Sequence, residues 1–332
     1  MRFSIRFNND LPIALYPELA RRAEQAGFDA FWVSDDLFLR SVWVILTAVA
    51  RATDRIQLGT CIVNPFTQHP AEIAMAAATL DELSGGRALL GISSGADDFL
   101  SWIGVHSAHP VASVAETVGA LRRLFDGERR HPDGTFVSGW TDAAYLRFPV
   151  KRRVPIYVGA MSPRMLELIG SIADGGLPLL FPPEHFEEVL PSVRRGAEAA
   201  GRDLASIDLA ACIWCSISAD RVGAERALRE KIAYYGHSLS PTILSRLGLS
   251  RADFEPIRQA LTVDRDAERA MTMVTPSMLR IGVVGTAEDL LPRLEHLVRL
   301  GAQHLSFGPP LGTDPLEAIE VLGRDVLPCF RE

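Results

Sequence analysis

Lysine is nearly missing from this chain of 332 residues. Of 34 basic residues only Lys151 and Lys231 are lysine, and the rest are arginine. The arginine excess runs through the whole chain, which fits GC-rich codon usage; arginine-mediated anion binding is the functional alternative. Cysteine is also scarce. Cys61, Cys212, Cys215 and Cys329 are too few and too scattered for a disulfide framework. No apolar run approaches the roughly 18 to 20 residues of a membrane span, which argues against a membrane partner. The net charge of -7 gives no basic footprint for nucleic acid. Nothing resembling a signal peptide precedes the strand-like opening "MRFSIRFNND", so a cytoplasmic location is expected.

What the chain has is alternation. Short apolar runs are each followed by a longer amphipathic one. The apolar runs are "RFSIRF", "FDAFWVS", "RIQLGTCIV", "RALLGIS", "VPIYVGA", "GGLPLLF", "SIDLAACIWCSI" and "AQHLSFG". Runs rich in Ile, Val, Leu and Phe on both faces suit a buried parallel sheet. Eight strand–helix units predict an α/β protein, a (β/α)8 TIM barrel, rather than an open doubly wound sheet. Ala26-Gly27, Ser84-Gly85-Gly86 and Ala200-Gly201 are placed to end helices before the next strand. Residues 127–153 and 237–285 break the repeat, as insertions after strands 4 and 7. Both are expected to be βα-loop insertions within one domain covering 1–332.

In such a barrel the chemistry belongs at the strand C-termini. These are Phe7-Asn8, Ser34-Asp35-Asp36, Cys61 to Asn64, Ser93-Ser94-Gly95, Gly159 to Ser162, Leu180-Phe181 and Phe307-Gly308. No lysine stands there for a Schiff base, and the eight histidines show no metal-ligand spacing, so no metal is assigned. A site this poor in acids, bases and ligands points to an organic cofactor that carries the chemistry.

At "VGAMSPRM", Ser162 and Pro163 give a helix-start signal. The free amides there and the helix dipole favour a phosphate, with Arg164 adding charge; Ser162 acting as a cap alone is the bland alternative. Cys212 and Cys215 form a CxxC whose members face opposite sides of a strand, which disfavours a redox or zinc role. Asp35-Asp36 and Asp97-Asp98 read equally as caps or solvated loop pairs. Arg6 is the oddity. Phe3, Ile5 and Phe7 share one strand face, so Ser4 and Arg6 share the other, and neither face of a barrel strand offers a charge a cheap position. Arg6 is therefore a substrate-contact candidate.

Longer runs carry a family resemblance: "LARRAEQAGFDAFWVSD" (19–35), "DELSGGRALLGI" (81–92), "VPIYVGAMSPRMLELIGSIADG" (154–175), "RRGAEAAGRDLASIDL" (194–209), and "VTPSML" with "GTAEDL" (274–290). In order and spacing they resemble the luciferase-like flavin and deazaflavin barrels, most of all the coenzyme F420-dependent methylenetetrahydromethanopterin reductases. The resemblance implies a homodimer or larger homo-oligomer, and hydride transfer at C5 of a deazaflavin bound in the barrel mouth. It implies a non-prolyl cis peptide at Cys61–Ile62 backing the ring, with Val63 and Ser93 beside it, and phosphate at Gly159, Ala160, Met161 and Ser162. Asp35 matches an acid near the ring and Asn64 a polar cofactor contact.

The departures are as informative. A histidine that can donate a proton commonly follows the strand 2 aspartate; here that position is Asp36, which makes Asp35 and Asp36 the catalytic candidates. An acid common after the fourth strand is Ala96 here, with Asp97 next to it. The methanopterin enzymes carry a carboxylate where Arg6 stands. Arg280 matches a phosphate-contact position of sugar-phosphate dehydrogenases. Arg6, Asn8, Asp97 and Arg280 are thus the substrate candidates. The implied activity is F420H2-dependent reduction of an activated C=C or C=N bond in a small-molecule substrate other than tetrahydromethanopterin. The rivals are an FMN-dependent monooxygenase on the same barrel and a family member that only binds a ligand.

Overall fold

The structure, a computed structural model, describes residues 1–331. In chain order it contains β1 (Arg2–Phe7), α1 (Tyr16–Ala26), β2 (Ala30–Val33), α2 (Val42–Ala52), β3 (Gln57–Thr60), α3 (Pro70–Ser84), β4 (Ala88–Ile92) and α4 (Asp97–Ser101). Next are α5 (Pro110–Phe125), β5 (Ile156–Ala160), α6 (Pro163–Ile172), β6 (Gly175–Leu180), α7 (Phe186–Ala199), β7 (Asp208–Ile217) and α8 (Arg221–Tyr235). The chain ends with α9 (Pro241–Arg246), α10 (Arg251–Thr262), α11 (Ala267–Thr272), α12 (Pro276–Leu279), β8 (Val283–Gly285), α13 (Ala287–Arg299), β9 (His304–Gly308) and α14 (Pro315–Val321).

β1 to β7 and β9 close into a ring of eight parallel strands, the (β/α)8 barrel the alternation predicts. β8 lies outside the ring: it pairs only with the far end of β7, Cys215↔Val283 to Ile217↔Gly285. It is the short extended piece inside the 237–285 segment. Strand parity sets what faces where. Phe3, Ile5 and Phe7 pack outward into the main core, where a fully buried side chain of this size is worth about 1.5–3 kcal/mol. Ser4 and Arg6 consequently point inward. On β7, Ala211, Ile213 and Cys215 pack outward, while Ala210 and Cys212 join Ala30, Trp32, Leu89, Tyr157 and Leu177 inside the barrel.

The barrel floor is polar. Asp208 accepts from Arg2, from the Tyr157 hydroxyl at 2.7 Å and from His304 at 3.0 Å. His304 continues to Ser4 and Ser4 to Ser306, each at 2.8 Å. Burial alone would raise the Asp208 pKa, but His304, Arg2 and Tyr157 bring it down to about 2.

One insertion departs from expectation. Residues 127–153 follow α5, which is the barrel helix between α3 and α6, so they are not a βα loop. The stretch returns along the outer surface: Glu116 accepts from the amides of Thr135, Phe136 and Val137, the Phe136 ring lies 5.2 Å from that of Phe66, and Trp140 stacks on His69 at 5.6 Å. The helical period of 110–125 completes the fourth unit first, which leaves the insertion on its far side. The second insertion is a helical cap. Leu228 and Ile232 of α8 share an apolar cluster with Phe254, Ile257 and Met278, and Phe181 and Trp214 from the barrel join it, their rings 4.6 Å apart.

Candidate active site

The mouth of the barrel is walled by small residues. Inward positions at this level are Cys61 on the β3 exit, Gly159 on β5 and Gly308 on β9. β3 ends at Thr60 and is followed by a bulge. Cys61 still donates its amide to Val33 on β2, at 2.7 Å. Val63 then pairs with β4 on the other side, its amide on the Gly91 carbonyl at 3.0 Å and its carbonyl taking the Ser93 amide at 3.1 Å. Ile62, in between, is free of the ladder, and the Cys61–Ile62 peptide is cis, as the resemblance implies. A Cβ at Gly159 would sit 3.1 Å from the Ile62 side chain and 3.2 Å from that of Ser93. Glycine there keeps the bulge flush with the wall, and Ser93 ties it by donating to the Gly159 carbonyl at 2.8 Å.

Arg6 crosses the mouth. Its Nη2 passes over Gly308 and donates to the Ile213 carbonyl at 2.7 Å. A Cβ at Gly308 would stand 2.3 Å from that nitrogen. Arg6 is 5% exposed, and its Nε has no hydrogen-bond partner; nor does the indole nitrogen of buried Trp32. Burial pushes the nearby Cys61 thiol up to about 12, against the pull of Arg6, so Cys61 stays a neutral thiol.

The β2 exit supplies the acids. Asn9, fully buried, clamps it: its side-chain oxygen takes the Asp36 amide and its nitrogen donates to the carbonyls of Asp36 and Arg40. Asp36 accepts from Ser34 at 2.9 Å. Burial raises its pKa, opposed by Ser34 and by the charge of Lys231. Asp35 turns the other way, bonded to Gln68 and facing the Val42 amide at the start of α2. Burial is the main reason its pKa rises to about 6.

Lys231 completes the mouth, and sequence reasoning missed it. It comes from the cap helix α8, not from a strand end. Its ammonium lies 4.0 Å from the centroid of Tyr235 and 5.5 Å from that of Trp214, next to the residue that holds Arg6. Burial lowers its pKa to about 8, with Asp36 and Asp10 opposing and Arg6 assisting. The scarcity of lysine is the one signal in the sequence that singles it out.

The other expected residues are dispersed. Ser162 caps α6, accepting from the Met165 amide at 3.4 Å, and Met161 beside it is exposed. Asn64 is buried, and its side-chain oxygen takes the Phe66 and Thr67 amides; its nitrogen faces Gly95. Asn8 is half-buried, and its carbonyl takes the Tyr16 hydroxyl. Asp97 is exposed at the start of α4 and paired with Ser107. Arg280 is exposed at the end of α12, where its charge supports the Glu184 carboxylate paired with Arg293. Neither Asp97 nor Arg280 bonds to the Arg6–Asp36–Lys231 group. Among the described residues no cluster of His, Cys, Asp and Glu has the makings of a metal site, and no helix is long and apolar enough to cross a membrane.

A parallel eight-stranded barrel whose mouth joins a flat, side-chain-poor wall to a few buried and half-buried charges is the architecture of a cofactor-using barrel enzyme. The family model for luciferase-like monooxygenases matches residues 8–304, and the chain belongs to that family. The 5,10-methylenetetrahydromethanopterin reductase of Methanolobus tindarius is 32% identical, covering 98% of this chain and all of that protein. The F420-dependent glucose-6-phosphate dehydrogenase of Nakamurella multipartita is 29% identical, covering 95% of this chain and 91% of its own. The solved coenzyme F420-dependent tetrahydromethanopterin reductase of Methanopyrus kandleri superposes with a TM-score of 0.93 at 29% identity, covering 99% of both chains.

Proposed function

We propose that this chain, an F420-dependent oxidoreductase, uses the reduced coenzyme to reduce an activated C=C or C=N bond in a small substrate that carries an anionic group, and that tetrahydromethanopterin is not that substrate. The single observation behind this reading is Arg6: a buried guanidinium at the mouth with a free Nε, where the resembling methanopterin enzymes carry a carboxylate. A cation there attracts an anion and repels what a carboxylate attracts.

The residues present fit a deazaflavin. The bulge at Cys61 to Val63, with Ser93 and Gly159, offers a flat face that a Cβ at Gly159 would spoil. Ser162 and the amides of Ala160 and Met161 open α6 towards a phosphate. When bound, the reduced coenzyme supplies a hydride from C5. The chain's own work is orientation and the exclusion of water, with Asp36 as a half-buried acid within the mouth.

The test is a titration with coenzyme F420 followed by absorbance, then turnover with reduced coenzyme of cinnamate, methyl cinnamate and methylenetetrahydromethanopterin. Binding at tens of micromolar and preference for cinnamate over its ester are expected. Efficient turnover of methylenetetrahydromethanopterin overturns the substrate reading. A yellow protein that takes up oxygen with reduced FMN replaces the coenzyme.

A further inference from the structure

Resting on that reading of the site, we propose that Lys231 is the group that delivers the proton to the substrate, with Asp36 and water restoring it. Placement carries the inference. Lys231 reaches the mouth from the cap, held by the faces of Tyr235 and Trp214, so its Nζ is fixed without its protons being used. Trp214 follows Ile213, whose carbonyl Arg6 bonds, and the charges acting on the ammonium are those of the mouth, Asp36, Asp10 and Arg6. Among the described residues no carboxylate pairs with it. The neighbouring cations of α8 are committed elsewhere, Arg226 to Glu268 and Arg229 to the Val274 carbonyl.

The charged groups facing Lys231 are Asp36 and Asp10 from the first two strand exits and Arg6 from β1; Tyr235, on its own helix, is kept a neutral phenol by burial, which raises its pKa to about 12. Arg6 and burial loosen the proton, and the two carboxylates retain enough of it to leave an ammonium at neutral pH. A general acid works best when its pKa lies near the working pH. Arg6, with its planar fork of donors, is suited to orienting an anionic substrate group.

The balance is simple. One substrate atom takes the hydride with both electrons. The π pair displaced onto the other atom takes a proton from Lys231 Nζ, so one N–H bond breaks and one C–H or N–H bond forms. The neutral amine regains a proton from water by way of Asp36, and the coenzyme's remaining hydrogen leaves to solvent as a proton. Two electrons and two hydrogens reach the product.

The chain's poverty in lysine makes the test direct. Competitive acetylation of the native protein between pH 6 and 11, read by peptide mass, reports Lys231 with exposed Lys151 as internal reference. Half-maximal reactivity of Lys231 is expected near pH 8, against about 10.4 for an ordinary lysine, and coenzyme F420 should slow its labelling at least fivefold. An ordinary titration of Lys231, or labelling indifferent to the coenzyme, overturns the proposal whatever the substrate proves to be. On cinnamate, Lys231→Gln and Lys231→Arg should both lose about a hundredfold in kcat or more, with coenzyme affinity unchanged. An active Lys231→Arg variant overturns the proposal, because arginine preserves the charge and the stacking but not the transferable proton. A wild-type protein inert to cinnamate defeats the substrate reading alone, and the labelling still decides the role of Lys231.

Discussion

Arg6 on the first strand bonds the carbonyl of Ile213 on the seventh, at 2.7 Å, reaching past the ninth strand at Gly308. The contact fixes the guanidinium but leaves its Nε unpaired in a buried setting. A charge held this way costs desolvation and recovers only part of it. Replacing Arg6 by methionine, similar in reach and apolar, should leave stability within about 1 kcal/mol of wild type, or improve it. The preference for cinnamate over methyl cinnamate should vanish in the same variant. Thermal melts and the two substrates' kcat/KM check this; a collapse of stability would mean that Arg6 serves the fold instead.

Gly308 is the other half of that relationship. A Cβ there would meet Arg6 Nη2 at 2.3 Å and the Ile213 carbonyl at 3.0 Å. Gly308→Ala therefore has to expel the guanidinium from its position. Overpacking of this kind typically costs about 1–3 kcal/mol, and the loss of anion preference should match that of the methionine variant. In Gly308→Ala combined with Arg6→Met the clash with the guanidinium disappears, so the double variant should be more stable than Gly308→Ala alone. Urea midpoints of the three variants measure the coupling.

Gly159 makes a different prediction, because its neighbours can yield. Contacts of 3.1 and 3.2 Å to Ile62 and Ser93 need shifts of a few tenths of an ångström. Gly159→Ala should fold with a loss below about 1 kcal/mol, yet raise the Kd for coenzyme F420 about fivefold or more, since 1 kcal/mol is roughly a factor of five. Absorbance titration beside a melting curve separates the two effects.

The barrel could be read from the sequence because its strands are apolar on both faces and its helices are not. "RFSIRF" and "AQHLSFG" fall on β1 and β9 as expected. Parity alone puts Arg6 on the face opposite Phe3, Ile5 and Phe7; which of the two faces lines the barrel is decided by the packing of those three against the outer helices. What could not be read was anything that depends on where a helix goes after it forms. The amphipathic run at 221–235 gives a helix, but only packing on Trp214 and on α10 to α12 makes it part of a cap that carries Lys231 to the mouth. Asp35 and Asp36 are adjacent in sequence and identical in chemistry; the Asn9 clamp and the Gln68 contact, both distant in sequence, turn one inward and the other away. The helix cap at Ser162 is local, so it is legible in the sequence.

Asp208 on the barrel floor gives a pH-dependent prediction with a definite sign. Its pKa falls from an ordinary 3.8 to about 2 because His304, Arg2 and Tyr157 outweigh the effect of burial. A carboxylate held below its unfolded pKa stabilises the fold fully at higher pH, and that stabilisation drains away as pH falls through the folded value. The shift corresponds to about 2 kcal/mol. Wild type minus Asp208→Asn should thus be largest above about pH 4 and shrink towards pH 2. Urea unfolding at pH 7, 4, 3 and 2.5 measures the difference. A gap that stays constant with pH would mean that the asparagine merely packs badly, and that the ionic pull of Arg2 and His304 on Asp208 adds nothing.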